Sequence, residues 1–357
     1  MKFARLPFLF LAAISLLSGI AAGLARMGVV IAEPAAAAAP LHGVLMVSGF
    51  FGTLIGLERA VAHGAKWSYS APLFAGAGGV IALAGQGGVA AWTATASALC
   101  FSAVNLSLAR RHVADFTVTL VAAGVAWTVA NLSWALGAPS QKVLPWLIAF
   151  LTLTIFAERR ELGRVMVPGP NAGRGFVAVV TAVIGGAALL SAGLDDSRRV
   201  LAAGLLAMSA WLAVFDVARY TVKKRGLTRF MAVALIAGYF WLAAGALAML
   251  LAQGDPAGAR YDAFVHALML GFVFSMVFAH APVIFPAVLG TSLAYSPIFY
   301  LHLALLQLSL ALRWAGDFGG IAPLRTMGGI GNAATIVLFI GVNASAVIRA
   351  RKVRNQR

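Results

Sequence analysis

The chain reads as a succession of apolar runs, each about twenty residues long, separated by short stretches rich in Gly, Pro and Arg. A membrane-crossing helix needs roughly twenty predominantly apolar residues. Runs able to supply one fall near 6–32, 41–62, 68–87, 89–109, 114–136, 143–158, 175–193, 199–221, 229–253, 262–284, 296–315 and 326–349. The pattern therefore predicts an all-α, polytopic integral membrane protein of about twelve transmembrane helices. No interruption is long enough for a soluble domain. The longest are AEPAAAAAP after the first run and GRVMVPGPNAGRG between the sixth and seventh. The second, Pro/Gly-rich and basic, predicts a cytoplasmic loop joining halves 1–165 and 175–357 of a single transmembrane domain. No sequence repeat relates the halves. The first run continues past Arg26 through MGVVIA, longer than the apolar core of a secretory signal, so a retained first helix is expected.

Composition narrows the class. The 357 residues are 61% hydrophobic and 11% charged, with a mean hydropathy of +0.91, values that exclude a soluble globular domain. The formal net charge is +16. When the runs alternate from a cytoplasmic N-terminus, twenty of the 27 Lys and Arg residues fall on the cytoplasmic side. Such asymmetry predicts both termini in the cytoplasm. Because the basic residues are scattered among short loops, topology accounts for them and nucleic acid is not an expected partner. The bilayer is. Cys100 is the single cysteine, so disulfides and Cys-based metal motifs are excluded.

The candidate chemistry lies in the histidines. His266 and His280 are fourteen residues apart in YDAFVHALMLGFVFSMVFAHAPVIFP. On a regular α-helix that step ends about 40° short of whole turns, and the two rings stand about 21 Å apart on roughly one face. The expected topology places His42 and His266 near the outer side, and His280 and His302 near the cytoplasmic side. His63 and His112 fall in basic loops and are expected to be solvated. Two imidazoles meeting from different helices at one depth can supply both axial ligands of a b-type haem. The sequence therefore nominates an outer pair, His42 with His266, and an inner pair, His280 with His302, for one or two haems. Interhelix hydrogen bonding is the alternative use of each ring, and His280 has a further one, capping the break made by Pro282 and Pro286.

Three methionines share a helix face with these rings: Met46 with His42, Met269 with His266, and Met276 with His280. Thioether and imidazole together suit copper, while packing is the ordinary use of methionine. Asp262, four residues before His266, is placed either to orient that ring or to cap its helix. Glu58 and Arg59, as sequence neighbours, are not expected to pair. Asp216 and Arg219, three apart, are expected to neutralise each other. Arg26, Arg260, Arg313 and Arg325 are the outer cations available to haem propionates or to lipid headgroups.

The stretch HALMLGFVFSMVFAHAPVIFPAVLG, with HLALLQLSLALRW and the last apolar run, resembles the C-terminal half of NnrS-family membrane proteins. HGVLMVSGFFGTLIGLE around His42 is similar to that family's N-terminal His helix, and to the haem-ligand helix of haem–copper oxidase subunit I. The resemblance covers about a third of the chain. It implies haem, with copper possible, a role in nitric-oxide or respiratory redox metabolism, and a bacterial inner (cytoplasmic) membrane. It also implies a respiratory electron-transfer partner, and it carries over only His42 and His266. A polytopic transporter of copper or a small solute, or an assembly factor for a respiratory complex, are the alternative functions.

Overall fold

The computed structural model describes residues 5–33, 36–164, 169–194, 196–251, 258–290 and 293–355. The described residues contain no β-strand, and a helix forms on each of the twelve expected runs. In chain order these are α1 (Leu6–Arg26), α2 (Ala39–His63), α3 (Ser70–Leu83), α4 (Gly87–Arg111), α5 (Asp115–Ala135) and α6 (Ser140–Gly163). Then come α7 (Pro170–Ala192), α8 (Ser197–Phe215), the single turn α9 (Ala218–Thr221) and α10 (Gly226–Leu251). Next is α11, built from Ala259–His266, a π-helix Ala267–Phe274 and Ser275–Leu289. It is followed by α12 (Phe299–Gly319) and α13 (Ala322–Asn355).

Among the described residues, ten helices are long and apolar enough to cross a membrane. The protein is accordingly membrane-embedded and multi-pass. The other two of the twelve differ for separate reasons. Helix α3 has only 14 residues, ending in a turn where Gly85 adopts φ +77°. Helix α12 has 21 residues, but its apolar run is interrupted by His302, Gln307, Arg313 and Asp317.

The chain divides into two compact units. Unit 1 is Met1–Ala157 with Ser191–Gly193, and unit 2 is Glu158–Leu190 with Leu194–Arg357. The division falls inside α6, not in the Pro/Gly-rich loop, part of which lies outside the described residues.

In unit 1, α4 packs on α5 and α3, and α1 packs on α2. Trp127 is fully buried, stacked on Phe150 at 4.6 Å between ring centroids, with Phe101 edge-on at 5.5 Å. In unit 2, α10 packs on α8 and α11, and α12 lies along α13. Apolar attraction between helices is weak in lipid, so close approach of small residues must supply the packing. Glycines do so here. Gly238 and Gly245 of α10 receive Met276 and Leu268, and Gly271 of α11 receives the Trp241 ring. Gly316 and Gly328 bring the backbones of α12 and α13 into direct contact.

Two spans contain π-helix: α2 at Leu45–Phe51 and α11 at Ala267–Phe274. Each begins one to three residues after a histidine, His42 or His266. Their i→i+5 bonds hold one residue more per turn than an α-helix. The expectation that His266 and His280 share one face requires unbroken α-helix between them, and eight of the intervening residues are π-helical. The rings accordingly meet different partners, His266 the Asp262 carboxylate of its own helix and His280 the Arg159 guanidinium of α6.

Gly271→Ala is expected to lower thermal stability in detergent by about 1–3 kcal/mol, the cost of overpacking a filled interface. Gly43→Ala, where an added Cβ meets nothing within 4 Å, is expected to be neutral or mildly stabilising. Equal melting of the two variants would contradict the close packing of α10 on α11.

Candidate functional site

Three of the four nominated histidines have Nδ1 anchored to a main-chain carbonyl. His42 Nδ1 lies 2.7 Å from Gly19 O, His266 Nδ1 2.9 Å from Asp262 O, and His280 Nδ1 2.7 Å from Met276 O. A carbonyl oxygen only accepts, so Nδ1 donates in each and the ring lone pair resides on Nε2. Metal-ligating histidines are oriented in this way.

The four surroundings differ sharply. His42 lies against α1, where Gly23 leaves room for the ring: a Cβ there would stand 2.8 Å from His42 Cε1. Met46, one turn on, fits over Gly19 of the same helix. A Gly-x-x-x-Gly face on α1 thus seats the histidine turn of α2. His266 is joined to a charged cluster. His280 presents Nε2 to Arg159 Nη1 at 3.3 Å, so the guanidinium already uses its lone pair. His302 is fully buried among Phe278, Phe339, Phe299 and Phe230, with ring centroids 4.8–5.9 Å away. Neither of its nitrogens has a hydrogen-bond partner among the described residues.

The two inner histidines have different neighbours. Phe278 faces His302, and His280 lies two residues further on, about 200° around the helix, where it faces Arg159. Met276 fills the notch at Gly238 and Met46 the notch at Gly19. Both thioethers act as packing groups. Met269 is half-buried in the π-helix.

Unit 2 holds two buried charge clusters that spacing along the sequence does not reveal. At the first, Arg159 binds Asp216 through two hydrogen bonds of 2.8 Å, with the side chains 3% and 0% exposed. Asp216 Oδ1 also accepts the amide of Ala218, the first residue of α9, at 2.7 Å. The Tyr239 hydroxyl interacts with both charges without a well-aligned hydrogen bond. The expected Asp216–Arg219 pair does not form. Asp216 has extended backbone, ψ 148°, just past the end of α8, so helical i,i+3 proximity does not apply. Arg219 is exposed, bonds to the Val214 carbonyl, and lies over the Tyr220 ring at 4.8 Å.

The second cluster surrounds Asp262. Arg313 donates to its Oδ2 through Nε at 3.0 Å and Nη2 at 2.7 Å, and His266 Nδ1 lies 3.2 Å from Oδ1. Arg325 stands 3.5 Å from Asp262 Oδ1 and 3.0 Å from the buried Asp317 Oδ1, the latter a charge contact and not an aligned hydrogen bond. Asp262 therefore orients His266 and does not cap α11, whose N-cap is Gly258. Arg313 and Arg325 are committed to carboxylates. Between the clusters, Trp241 Nε1 donates to Gln307 Oε1 at 2.6 Å, and Gln307 Nε2 donates to Ser275 Oγ at 3.3 Å.

Unit 1 brings two further differences. Arg59 Nη2 approaches Glu58 Oε1 to 3.8 Å, closer than adjacent positions suggest. His63 is 7% exposed, bonded to Ser107 Oγ at 3.1 Å and edge-on to Trp67. It is buried, whereas His112 is exposed as expected. The described residues include no group of three or more His, Cys, Asp or Glu able to hold a metal ion.

Removing one partner of a buried ion pair strands the other. Arg159→Met or Asp216→Leu alone is expected to cost about 3–5 kcal/mol, while the double variant recovers most of that loss. Denaturation of the three purified variants checks this, and additive losses would mean the pair is not coupled.

No curated protein is significantly similar to the chain. A family model described as a domain of unknown function, DUF8744, matches residues 5–348, nearly the whole chain, and the protein belongs to that family.

Proposed function

We propose that this protein is a haem-binding membrane protein of respiratory or nitric-oxide-related redox metabolism, in which His42 of unit 1 and His266 of unit 2 each serve as an axial ligand of b-type haem. The observation that carries the reading is the geometry these two histidines share. Each stands at the start of a π-helix, a local form frequent at functional sites, and each has Nδ1 fixed on a main-chain carbonyl with its lone pair on Nε2. The resemblance around HGVLMVSGFF and HALMLGFVF selects the same two residues. Haem bound there would supply one-electron transfer.

The other nominated residues fit a ligand role less well. His280 does not fit it, because Arg159 holds its Nε2. His302 is suited by burial but is caged by phenylalanines. Copper is supported less than haem, since Met46 and Met276 are used in packing. In the haem reading Asp262 is a positioning residue, steadying the His266 ring from one side while Arg313 holds the carboxylate in place. From its composition and the resemblance we place the protein in a bacterial inner membrane, orient both termini to the cytoplasm on the strength of the basic-residue asymmetry, and assign it twelve spans and an electron-transfer partner.

A second reading, transport of a small solute, draws on a separate observation. Ionisable groups inside membrane helices mark substrate or proton paths. Unit 2 carries them at both ends of α11, with Gln307, Ser275 and Trp241 between.

Absorption spectra of the detergent-purified protein decide between the two. The haem reading expects a Soret band that His42→Ala and His266→Ala each reduce by at least half and that His280→Ala leaves intact. A band unaffected by the first two variants refutes the ligand assignment. A protein without haem that moves solute into vesicles in an Arg159-dependent manner establishes transport instead.

A further inference from the structure

A groove of about 320 Å³ opens on unit 2 between α8 and α10. Its walls are Leu212 and Ala213 on one side and Ile236, Tyr239, Phe240 and Ala243 on the other, with Arg219 toward the α8–α9 break. The volume lies in the range of small-ligand sites. The surrounding surface is apolar and open: Phe240 is 66% exposed, Val214 49% and Ile236 40%. In a membrane-embedded protein such a surface faces acyl chains.

The Arg219 end has a different character. Arg219 is exposed, and Lys223, Lys224 and Arg225 follow in the exposed turn before α10. The carboxylate nearest in sequence, Asp216, is committed to Arg159 and to the first amide of α9, so it does not neutralise this end. Arg219 spends one N–H on the Val214 carbonyl, and a guanidinium has five. An apolar trough ending in uncompensated cations matches a molecule with an aliphatic tail and an anionic head. Basic pockets between membrane helices bind anionic lipid headgroups.

We propose that this groove is a binding site for one anionic phospholipid, whose acyl chain lies between α8 and α10 and whose phosphate is held by Arg219 with Lys223 and Lys224 beside it. The site does not depend on the haem reading. Tyr239 forms part of the groove wall and interacts with Asp216 and Arg159 behind it. The lipid chain would therefore pack against the residue that screens the buried ion pair.

The test titrates the full-length protein in detergent with phosphatidylglycerol and, separately, with phosphatidylcholine of the same chains, and reads bound lipid by native mass spectrometry. The wild type is expected to retain one phosphatidylglycerol in preference to phosphatidylcholine. Arg219→Gln should weaken that retention roughly fivefold, the effect of one cation near an anionic headgroup, and Arg219→Lys should restore most of it. Ala243→Trp fills the groove with Arg219 in place and should abolish retention. Ala213→Phe does the same from the opposite wall if the first variant fails to fold. Equal retention of both lipids by the wild type overturns the proposal. So does phosphatidylglycerol binding unchanged by both Arg219→Gln and the groove-filling variant.

Discussion

A charge removed from water must find its counter-charge inside the protein, and in unit 2 that requirement organises the polar residues. A lone guanidinium in the interior of a membrane protein costs several kcal/mol. Arg159, 3% exposed, is tolerable because Asp216 meets it with two parallel hydrogen bonds. Asp216 in turn is held by the α9 amide, and the third arm of the guanidinium fixes the His280 ring. The cluster at Asp262 follows the same rule, with Arg313, Arg325, Asp317 and His266 drawn from α11, α12 and α13. These polar knots decide which helices meet at each end of α11, and apolar packing fills the space between them.

That packing follows from the same solvent. Lipid gives helices little reason to associate, so contact must come from shape. Glycines let Trp241, Met276 and Leu268 sink between α10 and α11, and they let α12 and α13 touch along their backbones. On α1 the same device seats His42 and Met46. A small-residue face thus has two uses in this chain, as a helix contact and as the seat of a histidine whose Nδ1 reaches a glycine carbonyl.

Much of the helical layout is legible in the sequence, because a run of twenty apolar residues specifies a helix in lipid with little help from context. Element ends agree to within a few residues over most of the chain, as with 262–284 against Ala259–Leu289. Tertiary partners are less legible. Helical spacing matches Asp216 with Arg219, yet Asp216 lies just beyond a helix and pairs with a residue 57 positions away. His63 reads as a loop residue because its run ends in basic residues, while folding buries it under Trp67 and Ser107. The π-helices leave no composition signature, since the same residues form ordinary helix elsewhere. The Asp262–His266 link is readable as a four-residue step within one turn. Its arginine partners, on other helices, are not.

The π-helix in α11 lets this chain carry one residue more without losing helical register. Eight residues wound with an extra member per turn amount to an insertion absorbed without a loop. Regularising all eight residues to α-helix would swing everything after Ser275 by about 100° and carry the His280 ring off Arg159, whereas excising a single residue as the helix regularises would keep that ring in register. A chain one residue shorter in that stretch would keep both the topology and the reach of the second histidine, with plain α-helix in place of the π-helix.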